Sequence, residues 1–256
     1  MRRGPGQRRV ALTELCALDD VTVAFGGVRA LDGVSFSIST EGGIVGIIGP
    51  NGAGKSTALS VLSGTQPIDN GAARVLGRPI TRRSTTTKVA RWGVARTFQI
   101  PRPFVDMTVR ENVMVARLAS PGRSGKGGSH RDAVQALLER MGLAALADRP
   151  ASSLALAPRK KLEVARALAT APQLILLDEV FEGLSDDEIV ELVAILRDVH
   201  TEGIRLVLVE HVLRALRQLA STLIVLEKGQ VIAQGLVHDV LHDTRVQQAY
   251  LGSEVA

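Results

Sequence analysis

The sequence has one cysteine, Cys16, and few aromatic side chains, which make up 3% of its 256 residues. A lone cysteine excludes a disulfide framework and a cysteine metal site, and it fits a reducing cytoplasm. No apolar run approaches the roughly 18 residues that a membrane-spanning helix needs. The basic N-terminus is not followed by an apolar stretch, so we expect no signal peptide. The sequence therefore predicts a protein that is soluble unless another subunit holds it at a membrane.

Hydrophobic residues make up 45% of the chain, which is enough for a sizeable core of Val, Leu, Ile and Ala. Short β-branched runs alternate with helical stretches, and this alternation is typical of βαβ units in an α/β protein. The net charge of +5 is compatible with nucleic acid or an anionic membrane surface as a partner. Much of the excess lies in four arginines of residues 1–14, which we predict to be a flexible tail. The net charge is therefore weak evidence for such a partner, and we expect no nucleic-acid partner.

Residues 49–57 form a complete phosphate-binding loop. They read Gly49, Pro50, Asn51, Gly52, Ala53, Gly54, Lys55, Ser56 and Thr57. The glycines allow the backbone to curl until several N–H groups point at one anion. Lys55 supplies a charge for the β- and γ-phosphates, and Ser56 supplies a hydroxyl for Mg²⁺. The apolar run 44–48 before the loop and the helix predicted after it argue against a chance glycine-rich turn.

A second phosphate-site signal lies at residues 174–179, where an apolar strand ends in Asp178 and Glu179. Asp178 can hold Mg²⁺ through water, and Glu179 can polarise an attacking water as a general base. Taken alone, the pattern would more simply be a strand that ends at charged surface residues. Its place downstream of a phosphate loop favours the catalytic interpretation.

Local signals predict the remaining elements. A strand at 21–25 stops at a glycine pair and predicts a hairpin. Capping boxes at Thr108 and Ser185 each open a helix, and a further helix is expected to begin near Pro158. The remaining predictions are a loop at 119–130, a helix at 131–141, a strand at 204–209 and a hairpin around residues 228–229.

In this order the motifs resemble the nucleotide-binding subunits of ABC transporters, over about residues 15–253. In that resemblance Gln99 is the Q-loop glutamine that senses Mg²⁺ and the water, and His211 is the switch histidine that contacts the γ-phosphate. Phe25 occupies the position of the aromatic ring that stacks on adenine, although an aromatic at a strand end is also often part of a core. The implied ligands are ATP and Mg²⁺, with Ser56, Gln99 and Asp178 toward the metal.

The resemblance implies an α/β P-loop NTPase core with a mainly parallel sheet, an antiparallel β-subdomain, and a helical subdomain at about residues 100–170. Residues 15–253 would form this single domain. Two such subunits would clamp two ATP molecules head to tail, and closure of the clamp would drive membrane subunits.

Three segments, 95–99, 107–113 and 249–252, resemble the branched-chain (hydrophobic) amino-acid importers. The similarity is closer to the larger ATPase subunit, because residues 119–145 lie where that subunit has its insertion. Such importers combine two different ATPase subunits, two membrane-spanning permease subunits and an extracytoplasmic solute-binding protein, which this chain would meet only indirectly. The implied location is the cytoplasmic face of the cell membrane. Urea, amides or another small solute remain open as the transported substrate.

The loop that should contact the partner's nucleotide departs from the family pattern at residues 154–158. Ala155 replaces the serine that donates a hydroxyl to the γ-phosphate, and Pro158 has no N–H to offer. An alignment shifted by one residue would explain this more simply, but the unbroken match after the loop argues against a shift. The departure predicts a heterodimer with an ATPase subunit whose loop is intact.

Two other functions stay open from the sequence. One is a soluble ABC-type ATPase that acts on nucleic acid or ribosomes, although such proteins usually have two ATPase cores or long coiled-coil insertions. The other is a nucleotide-gated subunit that hydrolyses ATP weakly, which the altered loop suggests. The presence of Glu179 and His211 argues against the second.

Overall fold

A computed structural model describes residues 14–120 and 129–251. Nearly all of the predicted basic tail at 1–14, and most of the predicted loop at 119–130, therefore lie outside the described residues.

The described residues form ten strands and nine α-helices. The strands are β1 (Glu14–Phe25), β2 (Val28–Ser39), β3 (Val45–Ile48), β4 (Asn70–Val75), β5 (Arg78–Ile80), β6 (Val94–Arg96), β7 (Leu174–Asp178), β8 (Arg205–Val209), β9 (Thr222–Glu227) and β10 (Gln230–Leu236). The helices are α1 (Lys55–Leu62), α2 (Thr86–Arg91), α3 (Val109–Leu118), α4 (His130–Arg140), α5 (Leu156–Ala169), α6 (Asp186–Thr201), α7 (Leu213–Leu219), α8 (Val237–Leu241) and α9 (Thr244–Leu251).

The strands form two sheets. Four antiparallel strands pair in the order β2-β1-β4-β5, and six strands pair in the order β10-β9-β3-β8-β7-β6. All pairs in the larger sheet are parallel except β10 with β9. This architecture confirms the predicted α/β fold with a mainly parallel sheet and a separate antiparallel sheet.

Strand β3 separates two hydrophobic cores. Successive side chains of a strand point to opposite faces, so Ile48 packs with buried residues of α5, α6 and α7, while Val45 and Ile47 pack with α1 and the antiparallel sheet. Because β3, β7 and β8 are parallel, their carboxyl ends meet at one edge of the sheet. Residues 49–57, 178–179 and 210–211 therefore converge there.

Most predicted boundaries are confirmed, including both capping boxes. Two predicted starts are wrong, since β1 begins at Glu14 instead of residue 21, and α5 begins at Leu156, two residues before the predicted start near Pro158. The third position of a helix tolerates proline, because the first four N–H groups of a helix have no intrahelical acceptor.

Cys16 lies in β1 and is completely buried. Burial, and to a lesser extent the charge of Glu14, raises the pKa of its thiol to about 12. No helix within residues 14–120 and 129–251 has the length and apolar composition needed to cross a membrane.

Candidate functional site

The loop at residues 49–57 links β3 to α1 in a shape that depends on two glycines. Gly49 and Gly54 have φ angles of 148° and 101°, which disfavour other residues. An added Cβ would lie 2.0 Å from the Leu226 carbonyl oxygen at Gly49 and 2.3 Å from the Ala30 carbonyl oxygen at Gly54. Both positions therefore need glycine, because neighbouring backbone approaches too closely for a side chain.

Lys55 is the first residue of α1, and its ammonium group is held inside the loop. Its Nζ donates to the carbonyl oxygens of Gly49 at 2.7 Å and Pro50 at 2.9 Å. Burial lowers the pKa of Lys55, and the charges of Glu179 and Asp178 oppose that shift. The lysine and the amino-terminal end of α1 together favour an anion in the loop.

Ser56 and Asp178 bring hard oxygen ligands together. The Ser56 hydroxyl donates to Asp178 Oδ1 at 3.3 Å, and the Asp178 N–H donates to Thr97 Oγ1 at 3.1 Å. No cluster of three or more His, Cys, Asp or Glu side chains suited to a metal occurs in the described part of the chain. A hydroxyl and one carboxylate nevertheless fit Mg²⁺, which is usually bound through one or two carboxylates together with substrate phosphates and water.

Glu179 follows β7 in a backbone conformation that is unusual for a residue other than glycine. Its φ is 49°, in the left-handed region, which costs about 1–3 kcal/mol at a residue other than glycine. Two contacts hold this conformation, since the Glu179 N–H donates to the Val209 carbonyl at 2.9 Å and Lys160 Nζ donates to the Glu179 carbonyl at 2.6 Å. The carboxylate accepts a hydrogen bond from Gln99 Nε2 at 2.6 Å.

A cavity of about 340 Å³ brings most of the predicted residues together. Its lining consists of Phe25, Ala30, residues 51–57, Gln99 and Glu179. Phe25 lies at the turn between β1 and β2 and is 53% exposed, so its ring is available for contact rather than part of a core. Asp178 does not line the cavity, but it accepts a hydrogen bond from Ser56, which does.

His211 lies beside Glu179 without a hydrogen bond to it. Its Nδ1 is 3.9 Å from Glu179 Oε1, which is too long for a hydrogen bond. The side chain is 47% exposed and does not line the cavity.

Three residues beside the site had no role assigned from the sequence, of which Lys160 and Glu210 are buried and Arg96 is 11% exposed. Arg96 Nη2 is 2.8 Å from Asp178 Oδ2, Lys160 supports the Glu179 backbone, and Glu210 Oε1 accepts the Phe181 N–H at 2.9 Å.

Desolvation is the main reason that the pKa of Glu210 rises to about 7, and desolvation also lowers the pKa of Lys160. Arg96 and Glu210 adjoin recognised motifs, which was the available signal, whereas Lys160 lies in a run of cations typical of an exposed helix face.

The altered loop at 154–158 leads directly into α5. Ala155 occupies the N-cap and makes no side-chain hydrogen bond to the helix, and Leu156 is 44% exposed. Arg159 folds back, and its Nη2 donates to the Leu154 carbonyl at 2.7 Å. The amino-terminal end of α5 therefore has the apolar residue Ala155 at the N-cap, where a residue with a capping hydroxyl is expected.

A second cavity, of about 270 Å³, includes the Asp178 partner Arg96 in its lining, and we name it the arginine groove. Its lining includes Arg96, Phe98, Arg102, Glu163 and Arg166. The Arg96 and Arg102 guanidinium carbons lie 5.6 and 5.3 Å from the centre of the Phe98 ring. In the segment 98–105, which begins in this groove, Phe98, Ile100, Phe104 and Val105 are 38–73% exposed.

Comparisons with known proteins agree on one family. The profile described as ABC transporter matches residues 31–182. The high-affinity branched-chain amino acid transport ATP-binding protein LivG of Salmonella typhimurium is 34% identical over 253 residues, which cover 93% of this chain and 98% of that protein.

Solved structures show the same architecture. The ADP conformation of MJ1267, an ATP-binding cassette of an ABC transporter, superposes with a TM-score of 0.82 at 31% identity and covers 93% of this chain and 99% of that one. The dimeric post-hydrolysis state of the ATP-binding cassette MJ0796, bound to ADP and Pi, gives a TM-score of 0.77 at 25% identity and covers 87% of this chain and 98% of that one.

Proposed function

Because this chain belongs to the ABC transporter family, we propose that it is the ATP-binding and ATP-hydrolysing subunit of an importer for branched-chain or related amino acids. The domain would span residues 15–253, with a helical subdomain at about 100–170. The similarity to LivG supports the solute class, because that relative is a branched-chain amino acid transport protein.

The geometry of one cavity carries the proposal. The phosphate loop, the Ser56 hydroxyl, the Gln99 amide and the Glu179 carboxylate line the same cavity of about 340 Å³. Loop N–H groups and Lys55 would bind the β- and γ-phosphates of ATP, and Phe25 would stack on the adenine. Ser56, Asp178 and Gln99 would hold Mg²⁺, which offsets negative charge on the terminal phosphates when bound.

Glu179 is the proposed general base. Its Oε2 accepts a hydrogen bond from Gln99, and Lys160 and Val209 fix its backbone, so the carboxylate is oriented before a water arrives. Gln99 would position that water beside Glu179, and His211 would reach the γ-phosphate from the end of β8.

The test is ATP binding and hydrolysis by two variants. Glu179→Gln should bind ATP while hydrolysing it roughly 10²- to 10⁴-fold more slowly, because the amide cannot accept the proton. Lys55→Ala should lose tight ATP binding and keep the fold. The matched controls are the exposed residues Glu41→Gln and Lys88→Ala, which should leave both measurements unchanged. Hydrolysis at the parental rate by Glu179→Gln would assign the base elsewhere.

The proposed assembly places this chain at the cytoplasmic face of the cell membrane. Two permease subunits, and through them a solute-binding protein, would be its partners together with a second ATPase subunit. The exposed apolar residues Phe104 and Val105 support a permease contact, since large exposed apolar side chains that lie together mark interaction sites. Phe104→Asp and Val105→Asp should therefore weaken assembly with the permease while ATP binding persists. Intact assembly and transport in both variants would contradict this contact.

A further inference from the structure

Arg96 lines the arginine groove and contacts Asp178, which in turn accepts a hydrogen bond from Ser56 in the phosphate-loop cavity. On one side its Nη2 forms an ion pair with Asp178 Oδ2 at 2.8 Å, and the two side chains are only 11% and 4% exposed. Its Nη1 lies within hydrogen-bonding distance of three hydroxyls at the end of α1, which belong to Ser60 at 3.0 Å, Ser63 at 3.1 Å and Thr65 at 3.2 Å. On the other side the guanidinium lies over the Phe98 ring and lines the arginine groove.

The ion pair constrains how Asp178 can turn. With Oδ2 on Arg96 and Oδ1 accepting the Ser56 hydroxyl, both carboxylate oxygens have a fixed partner. The planar guanidinium also ties Asp178 to the carboxyl-terminal end of the helix that starts at Lys55. Asp178 is thereby held at a fixed angle to the phosphate loop.

We propose that Arg96 is a positioning residue that orients the Asp178 carboxylate for Mg²⁺ and links that carboxylate to the arginine groove. The inference rests on the proposed function, since it concerns the same ATP site. Residues that hydrogen-bond a metal ligand orient it, and their loss typically weakens metal binding about 10- to 100-fold.

The experiment measures binding of a fluorescent ATP analogue to the full-length chain, first in EDTA and then with increasing Mg²⁺. Arg96→Ala should leave the affinity in EDTA unchanged and raise the Mg²⁺ concentration for half-maximal enhancement roughly tenfold or more. Arg96→Lys should give an intermediate shift, because an ammonium keeps the charge and loses the planar fork. The double variant Ser63→Ala, Thr65→Ala should shift the Mg²⁺ requirement in the same direction by less, and it keeps the test available if Arg96→Ala does not fold.

Arg102→Ala is the matched control. It removes a guanidinium from the same Phe98 ring and the same groove, but not from Asp178, so its Mg²⁺ requirement should equal that of the parent. An unchanged Mg²⁺ requirement in folded Arg96→Ala, an equal loss of affinity with and without Mg²⁺, or the same shift in Arg102→Ala would each overturn the inference. A parent chain that binds ATP without any response to Mg²⁺ would instead count against the proposed function.

Discussion

Glu210 is a completely buried carboxyl, and its burial raises its pKa. Burial raises its pKa from 4.5 to about 7, against the opposing effects of the Phe181 N–H and of Lys160, while Glu179 adds to the rise. An acid with a raised pKa in the folded state favours folding below its unfolded pKa, and that contribution is lost as the pH rises through the folded value. Neutral Glu210 therefore stabilises the protein at acidic pH and loses that effect between pH of about 4.5 and 7.

We expect Glu210→Gln to remove this dependence. Between pH of about 5 and 8, the free energy of unfolding of the parent should fall relative to the variant by roughly 2–3 kcal/mol. Urea denaturation across that range measures the difference, with Glu41→Gln as the exposed control. Parallel pH curves for the parent and Glu210→Gln would contradict the prediction.

The sequence predicts those site residues that lie close together in the chain and act as one motif. The phosphate loop is of this kind, because its glycines, lysine and serine act within nine consecutive positions. Arg96 and Lys160 could not be predicted in the same way, because their partners lie 82 and 19 positions away. The parallel pairing of β6 with β7 brings Arg96 to Asp178, and the packing of α5 brings Lys160 to Glu179.

At the scale of elements, α6 depends on its first turn. The Ser185 side chain accepts the Glu188 N–H, and the Glu188 carboxylate accepts the Ser185 N–H. Ser185→Ala should lower the free energy of unfolding by about 1 kcal/mol, because a buried apolar face alone does not satisfy the first N–H groups. Chemical denaturation measures the change.

Ser152→Ala, at an exposed position outside any α-helix, is the control for that variant. Equal stability of Ser185→Ala and Ser152→Ala would mean that water caps α6 as well as serine does.

Helices whose ends carry strong local sequence signals could be predicted. Capping boxes mark the starts of α3 and α6, and Gly203, with a φ of 94°, follows the end of α6, so local hydrogen bonds decide these boundaries. The start of α5 was displaced because proline suits any position of the first turn, so the residue itself does not select Leu156 over Pro158. The apolar positions 156 and 157 ahead of it extend the helix by two residues.

At the scale of the whole molecule, the altered loop at 154–158 predicts unequal sites. A self-paired chain would present Ala155 to both nucleotides, and each site would lack one hydroxyl to a charged phosphate, which is worth roughly 1.5–3 kcal/mol. Paired with a subunit whose loop is intact, one site would combine that loop with Lys55, Asp178 and Glu179 of this chain. The chain alone should be a weak ATPase, and the partner should raise turnover roughly tenfold or more.

Mutation of one subunit at a time tests this asymmetry. In the mixed dimer, Glu179→Gln in this chain should cost far more activity than the matching change in the partner. Equal losses from the two changes, or full activity of this chain alone, would mean that Ala155 is a tolerated replacement.

The buried thiol of Cys16 allows the opening of the antiparallel sheet to be measured in the native chain. It is the one cysteine in the sequence, it sits without exposure in β1, and a pKa of about 12 keeps it protonated at neutral pH. A thiol reagent can react only when β1 separates from its neighbours, so the labelling rate follows the opening equilibrium of the antiparallel sheet. Comparing the labelling rate with and without ATP would measure how much bound nucleotide stabilises the antiparallel sheet against opening. The measurement needs no engineered label.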